Sequence, residues 1–199
     1  MFKLKIKLFF LSLVNIFILT FFLAIASFAE VYSIPGDSDI KFQYKVGFAV
    51  FEGNFKIKDS IFNLNKNKPA ASQFHLSFDL NRSSAGFFIA TKAMLSKPVL
   101  YAKKYPEIAF KSRSMSLLGE QFEIYGDLTI RGVTRGINLI VTPLGFDPEN
   151  LEYPKELEFQ ISAEIKRDEF GAVGYSGLVG NIIKLHETIT LFPTFSSNE

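Results

Sequence analysis

Two histidines and no cysteine leave this chain with little of the usual equipment for metal or nucleophilic chemistry. His75 and His186 fall in the runs "FHLSFDL" and "LHETITL", at positions of polar parity. Successive strand side chains point to opposite faces, so both imidazoles are expected on the wet face of separate strands. Histidines placed apart do not make an imidazole metal site. Neither stands beside an inward serine or aspartate by pattern, so solvated surface histidines are the better reading. Without cysteine, thiol nucleophiles, zinc–thiolate sites, acylated cysteines and disulfides are all excluded.

Three other features could carry chemistry. Glu187 shares parity with Leu185, Ile189 and Leu191, which puts a carboxylate on an apolar face. Such a group must be hydrogen-bonded or near water. It is either a register break or mouth position, or a polar handle for a ligand headgroup. The pair Arg131 and Arg135 in "RGVTRG" flanks a glycine turn. Two cations there serve as solubility charge, as an anion site, or as a contact for an anionic membrane surface. The stretch "FGAVGYSGLVGN" lacks the strand–turn–helix setting of a phosphate-binding loop. Its glycines suit a place where the chain bends between strands.

The elements that must position these residues are mostly strands. "IKFQYKVGF" sends Ile40, Phe42, Tyr44, Val46 and Phe48 one way and Lys41, Gln43, Lys45 and Gly47 the other. The alternation recurs in 51–58, 74–80, 122–130, 157–165 and 185–191, and less regularly in 108–117 and 133–144. Turn chemistry separates the runs at 65–69, 119–120, 132 and 147–150. One helix is expected over Ser83–Lys97, capped by Ser83 or Ser84 and stopped by Pro98. Eight one-sided antiparallel strands would expose two edges as a flat sheet. Closing them into a barrel removes the edges and leaves an interior that side chains fill or that holds one ligand. The expectation is therefore all-β: an eight-stranded antiparallel barrel with one short helix at a mouth.

The first 29 residues have the layout of an export signal. Lys3, Lys5 and Lys7 precede an apolar run, and Ser27 and Ala29 offer a cleavage site. Cleavage after Ala29 is expected, with an uncleaved anchor as the alternative, because the run approaches the ~20 residues that span a bilayer. The working domain is then 30–199. Its net charge is −1, since the three leader lysines account for the positive value of the whole chain. A near-neutral surface without a basic run gives no electrostatic case for nucleic acid. Sixteen of the 23 phenylalanines lie in this domain, a heavy apolar load for the strands to enclose.

Four stretches taken in order, "YSIPGDSDIKFQYK", "KKYPEIAFKS", "GDLTIRGVTR" and "KRDEFGAVGYSGLVGNIIKL", resemble the YceI-like family of periplasmic, lipocalin-like proteins. The resemblance covers essentially all of 32–191. It implies an eight-stranded lipocalin-like barrel with a helix and an apolar tunnel around an isoprenoid tail, quinone or polyprenyl in type. It implies no catalytic residue, and no cofactor other than that lipid as cargo. The chain departs from the family pattern in "GDSD", at Val46 and at Arg131, where histidines are common.

Parity and position then name the expected tunnel wall: Phe42, Tyr44, Phe55, Leu76, Phe78, Ile124, Leu128, Phe159 and Ile161, with Phe87 and Phe88 at the helix end and Glu187 as a polar headgroup contact. Two rivals stand beside the carrier. One is a packed, ligand-free barrel acting as an interaction or stress-response module. The other is an enzyme acting on a bound amphiphile, with Glu187 or Tyr44 as its acid. A homodimer that continues the apolar mouth across subunits is left open.

Overall fold

Wherever the sequence alternates, the chain is extended and paired. The computed structural model of the protein describes residues 30–65, 68–147 and 155–194. The expected leader lies outside the described residues. Among the described residues nine strands follow in order: β1 (Glu30–Ser33), β2 (Asp39–Val46), β3 (Ala49–Leu64), β4 (Gln73–Ser84), β5 (Glu107–Leu118), β6 (Gln121–Ile130), β7 (Val133–Leu144), β8 (Leu157–Lys166) and β9 (Ile182–Pro193). All pairings are antiparallel, and the β3–β4 pairing closes the sheet.

Nine segments make eight staves. β1 and β2 both lie between β3 and β9: Tyr32 is opposite Phe62 and Pro193, while Phe42 is opposite Gly53 and Leu185. They are one stave interrupted at Pro35, which has no N–H to give the ladder. The Ser60 Oγ bridges the interruption by accepting the Ile34 N–H at 2.9 Å. The eight-stranded barrel expected from the pattern is the fold, with this break as an added detail.

The helix differs from expectation at its start. Ser83 and Ser84 remain in β4, because pairing with β3 extends as far as Asn54 opposite Ser84. The chain turns at Gly86, where φ is +89°, and α1 runs only over Phe88–Leu95. Ser84 is no cap. Thr91 Oγ1 accepts the Ala85 N–H at 3.0 Å and donates to the Phe87 carbonyl at 2.9 Å. The helix stops before Pro98 as expected. It shares one end of the barrel with the β2–β3 hairpin tip, the β6–β7 turn and the β8–β9 connection.

Inward parity fills the barrel with a continuous apolar cluster, from Tyr32 and Ile34 through Phe110 and Leu128 to Ile189 and Leu191. Among the described residues, no buried side-chain nitrogen or oxygen lacks a hydrogen-bond partner. Burying so much apolar surface is the main force holding a disulfide-free barrel together.

Candidate ligand-binding site

The interior has two apolar chambers with a waist of aromatic rings between them. The chamber at the helix end has a volume of about 480 Å³. Phe42, Tyr44 and Val46 of β2 form one wall, Ala90, Ala93 and Met94 of α1 roof it, and Tyr175, Leu178 and Val179 close the far side. The second chamber, at the other end, is about 80 Å³, among Phe62, Phe74, Phe110, Met115, Phe122 and Phe159. Only the first falls in the size range typical of small-molecule sites.

At the waist, Phe42 stacks on Phe55 with ring centroids 4.3 Å apart, and Phe55 meets Phe78 at 5.9 Å. The backbone makes room for this. Gly53 lies opposite Phe42, and a Cβ there would overlap the Phe42 ring and the Ser84 carbonyl. Gly126, opposite Ser112, likewise leaves room for the Phe110 ring, which a Cβ there would overlap together with the Lys111 carbonyl. Each glycine lets a ring lie flat over the sheet.

The expected wall residues divide among these regions. Phe42, Tyr44 and Phe87 line the helix-end chamber. Leu76, Ile124, Phe159 and Ile161 line the smaller one. Phe55, Phe78 and Leu128 line neither chamber, and Phe55 and Phe78 form the waist. Phe88 is 72 % exposed at the start of α1 and lines neither chamber.

Glu187 is half-buried, on the inward side of β9, and also lines neither chamber. Its position opposite Ile161 is level with a fork in the sheet. The β7–β8 ladder ends at Ile140 opposite Ser162. Beyond it Val133–Leu139 pairs with β6 and Ala163–Lys166 with β9. Ile137, Leu139, Ala163 and Leu185 around the fork are only half-buried. A carboxylate is tolerated on this inward face because the wall is incomplete there. Its Oε1 accepts the Thr188 N–H at 3.3 Å.

Two polar groups shape the large chamber. Tyr44 donates its hydroxyl to the Ala85 carbonyl at 2.8 Å, which ties β2 to the turn before α1. Burial holds its phenol above the ordinary value near 10. Arg167 is the residue the sequence reading missed. Its guanidinium is buried and donates to four carbonyls: Gly180 at 3.0 Å, Ala172 at 2.5 Å, Gly174 at 2.8 Å and Val179 at 2.9 Å. Desolvation lowers its pKa from the ordinary arginine value, with Asp168 opposing. It holds the glycine-rich β8–β9 connection over the chamber. The available signal was a single arginine ahead of a long uncharged, glycine-rich run.

Arg131 has φ +53° beside Gly132 at +75°, the two positive values of a tight hairpin turn. One guanidinium nitrogen donates to the Lys97 carbonyl at 2.6 Å and to the Val99 carbonyl. It therefore ties the β6–β7 turn to the segment after α1. His75 is half-buried and His186 exposed, opposite Lys111 and Ser162 respectively.

A family model described as a YceI-like domain matches residues 33–191. Protein YceI of Escherichia coli O157:H7 is 28 % identical over 127 residues, 63 % of this chain. The match covers 65 % of that relative's length, just under two thirds. Among solved structures, BcnA of Burkholderia cenocepacia superposes with a TM-score of 0.66 at 19 % identity, covering 77 % of this chain and 94 % of that one. A Saccharophagus degradans domain described as polyisoprenoid-binding superposes at 0.58 and 12 % identity, covering 82 % and 98 %. At such identities the structural likenesses speak for the fold.

Proposed function

The chain belongs to the YceI-like family, and from that premise we propose that its barrel binds one amphiphilic isoprenoid lipid, quinone or polyprenyl in type, and carries it in the periplasm. The observation that carries the reading is the helix-end chamber, apolar over most of its wall and edged by Lys92. A greasy tail fits the wall, and a polar head fits the edge. The polyisoprenoid-binding description of the Saccharophagus domain supports the same cargo class.

Energetics suit a carrier. A tail of ~40 carbons at ~0.3 kcal/mol per heavy atom gains about 12 kcal/mol relative to water. The same tail is equally comfortable in a bilayer, so exchange between membrane and barrel lies near balance. No bond-making residue enters this reading. Tyr44 already donates its proton to the Ala85 carbonyl, and burial keeps it there. The packed waist supports the rival reading of an interaction module, which predicts no cargo.

Native mass spectrometry of protein purified from the export compartment tests both. A co-purified isoprenoid, or uptake of an added short-tail ubiquinone or polyprenyl phosphate at one per chain, supports the carrier. Neither occurring, or uptake of straight-chain fatty acid alone, overturns it. The mass also reads whether residues before Glu30 are present.

A further inference from the structure

The described residues have fourteen exposed large apolar side chains, and eight of them gather at the helix end. They occupy three segments: Phe48 and Val50 at the β2–β3 tip, Phe87, Phe88 and Ile89 at the start of α1, and Val173, Tyr175 and Leu178 in the β8–β9 connection. Phe48, expected inward by alternation, is instead fully exposed, because the strand ends at Val46 and the chain turns at Gly47. Phe88 and Ile89 are 72 % and 73 % exposed. The segments are stitched together. Gly47 donates its N–H to the Leu178 carbonyl at 3.0 Å, and Gly180 to that of Lys45 at 2.9 Å. The Phe51 and Phe87 rings lie 5.7 Å apart. They form one rim, and Phe87, Ile89, Tyr175 and Leu178 belong both to it and to the wall of the large chamber. An apolar rim of this extent marks an interaction site.

Charge says what covers it. Between Lys45 and Phe51 there is one lysine and no carboxylate. The whole β4–β5 connection, 85–106, carries Lys92, Lys97, Lys103 and Lys104 with no carboxylate, and 171–181 carries no charge at all. Lys92 Nζ stands 4.7 Å over the Phe88 ring, its charge beside the apolar foot. The acidic groups nearest in sequence are Glu52, Glu107, Asp168 and Glu169, and Glu107 is already paired with Lys58. Aromatic and aliphatic tips with lysines beside them match the boundary between acyl chains and anionic headgroups. A second copy matches less well, because a two-fold contact brings the same lysine-bearing, carboxylate-poor segments together.

We infer that the helix end of the barrel is a docking surface for an anionic lipid bilayer, with the rim entering the interface and the lysines facing lipid phosphates. The surface features alone carry this. That a tail then passes between leaflet and chamber rests on the lipid-carrier reading.

The chain has no cysteine, so one introduced at a chosen site takes a fluorophore cleanly. An environment-sensitive dye is placed at S176C on the rim or at E120C in the β5–β6 turn at the opposite end. Both labels sit in otherwise identical full chains, so residues before Glu30 contribute equally to each. Vesicles are equal parts phosphatidylglycerol and phosphatidylcholine, with and without brominated acyl chains. The expected result is a blue shift and bromine quenching at 176 and not at 120, lost in pure phosphatidylcholine and reduced by salt, which screens over about 8 Å at 0.15 M. F48S/F88S/I89S should weaken binding at least about ten-fold, whereas L117S/L118S, also exposed but at the far end, should leave it unchanged. Quenching at 120, at both sites equally or at neither overturns the inference. So does a triple variant that binds as well as the parent, or equal loss in the far-end control. A blue shift at 176 that rises with protein concentration and without vesicles overturns it in favour of a second copy. The readout needs no cargo, so a protein that docks but takes up no lipid fails the carrier reading and not this one.

Discussion

A buried polar group in an apolar barrel must have its partners, and the residues that matter most at the large chamber are those that supply them. Arg167 shows this for a charge: its donors are spent on backbone carbonyls of the connection it anchors. Tyr44 shows it for a neutral group, and its titration is a test. Burial raises its folded pKa above the ordinary value near 10. A raised folded pKa stabilises fully below the unfolded value, and that stability is lost as pH climbs through the folded one. Tyr44→Phe removes the hydroxyl from Ala85 and should cost about 1 kcal/mol at neutral pH. As pH rises past about 10 the gap between parent and variant should narrow, since only the parent has this proton to lose. Denaturation midpoints across that rise read it, and a gap that stays constant or widens removes the buried phenol from the account.

Among the elements, the regular parts of each strand were legible and the irregular parts were not. Alternation puts Phe51, Phe55 and Ile57 of β3 on one face, as observed. It gives no warning that after the register shift between Ile57 and Asp59 the inward set becomes Ser60, Phe62 and Leu64. The reason is physical. A buried serine stands beside each shift, polar by type and so invisible to an apolar alternation, yet buried because the broken ladder needs its hydroxyl. Ser60 serves the β1–β2 break, Ser83 accepts the Lys56 N–H at 3.0 Å beside the Asn54–Lys56 shift, and Ser112 accepts the Phe74 N–H at 2.8 Å beside the Ser112–Ser114 shift. Ser112→Ala should therefore cost about 1–3 kcal/mol, the penalty of stranding the Phe74 donor. Exposed Ser114→Ala should stay within about 0.5 kcal/mol. Equal urea midpoints for the two would show that the hydroxyl does not complete the ladder.

At the scale of the whole molecule, the division of the interior decides which ligands the barrel accepts, and here sequence reasoning could not reach. Phe42, Phe55 and Phe78 come from three strands, and parity sends each of them inward without saying that their rings meet. Meeting, they cut a single tunnel into chambers of about 480 and 80 Å³. A short tail fits the first as it stands. A longer one must push the rings aside, so tail length and ring packing are coupled. Phe55→Ala takes away the middle ring and should cost about 3 kcal/mol of stability. It should also open the waist. Across a series of quinones with lengthening isoprenoid tails, parent affinity should stop rising once the helix-end chamber is full. The variant's should keep rising, each further buried methylene adding about 0.8 kcal/mol. Binding titrations across the series, in detergent-free buffer with fluorescence readout, compare the two plateaus. If both proteins level off at the same tail length, the rings are no gate, and a long tail must leave the barrel by another way, such as the fork between β7 and β8.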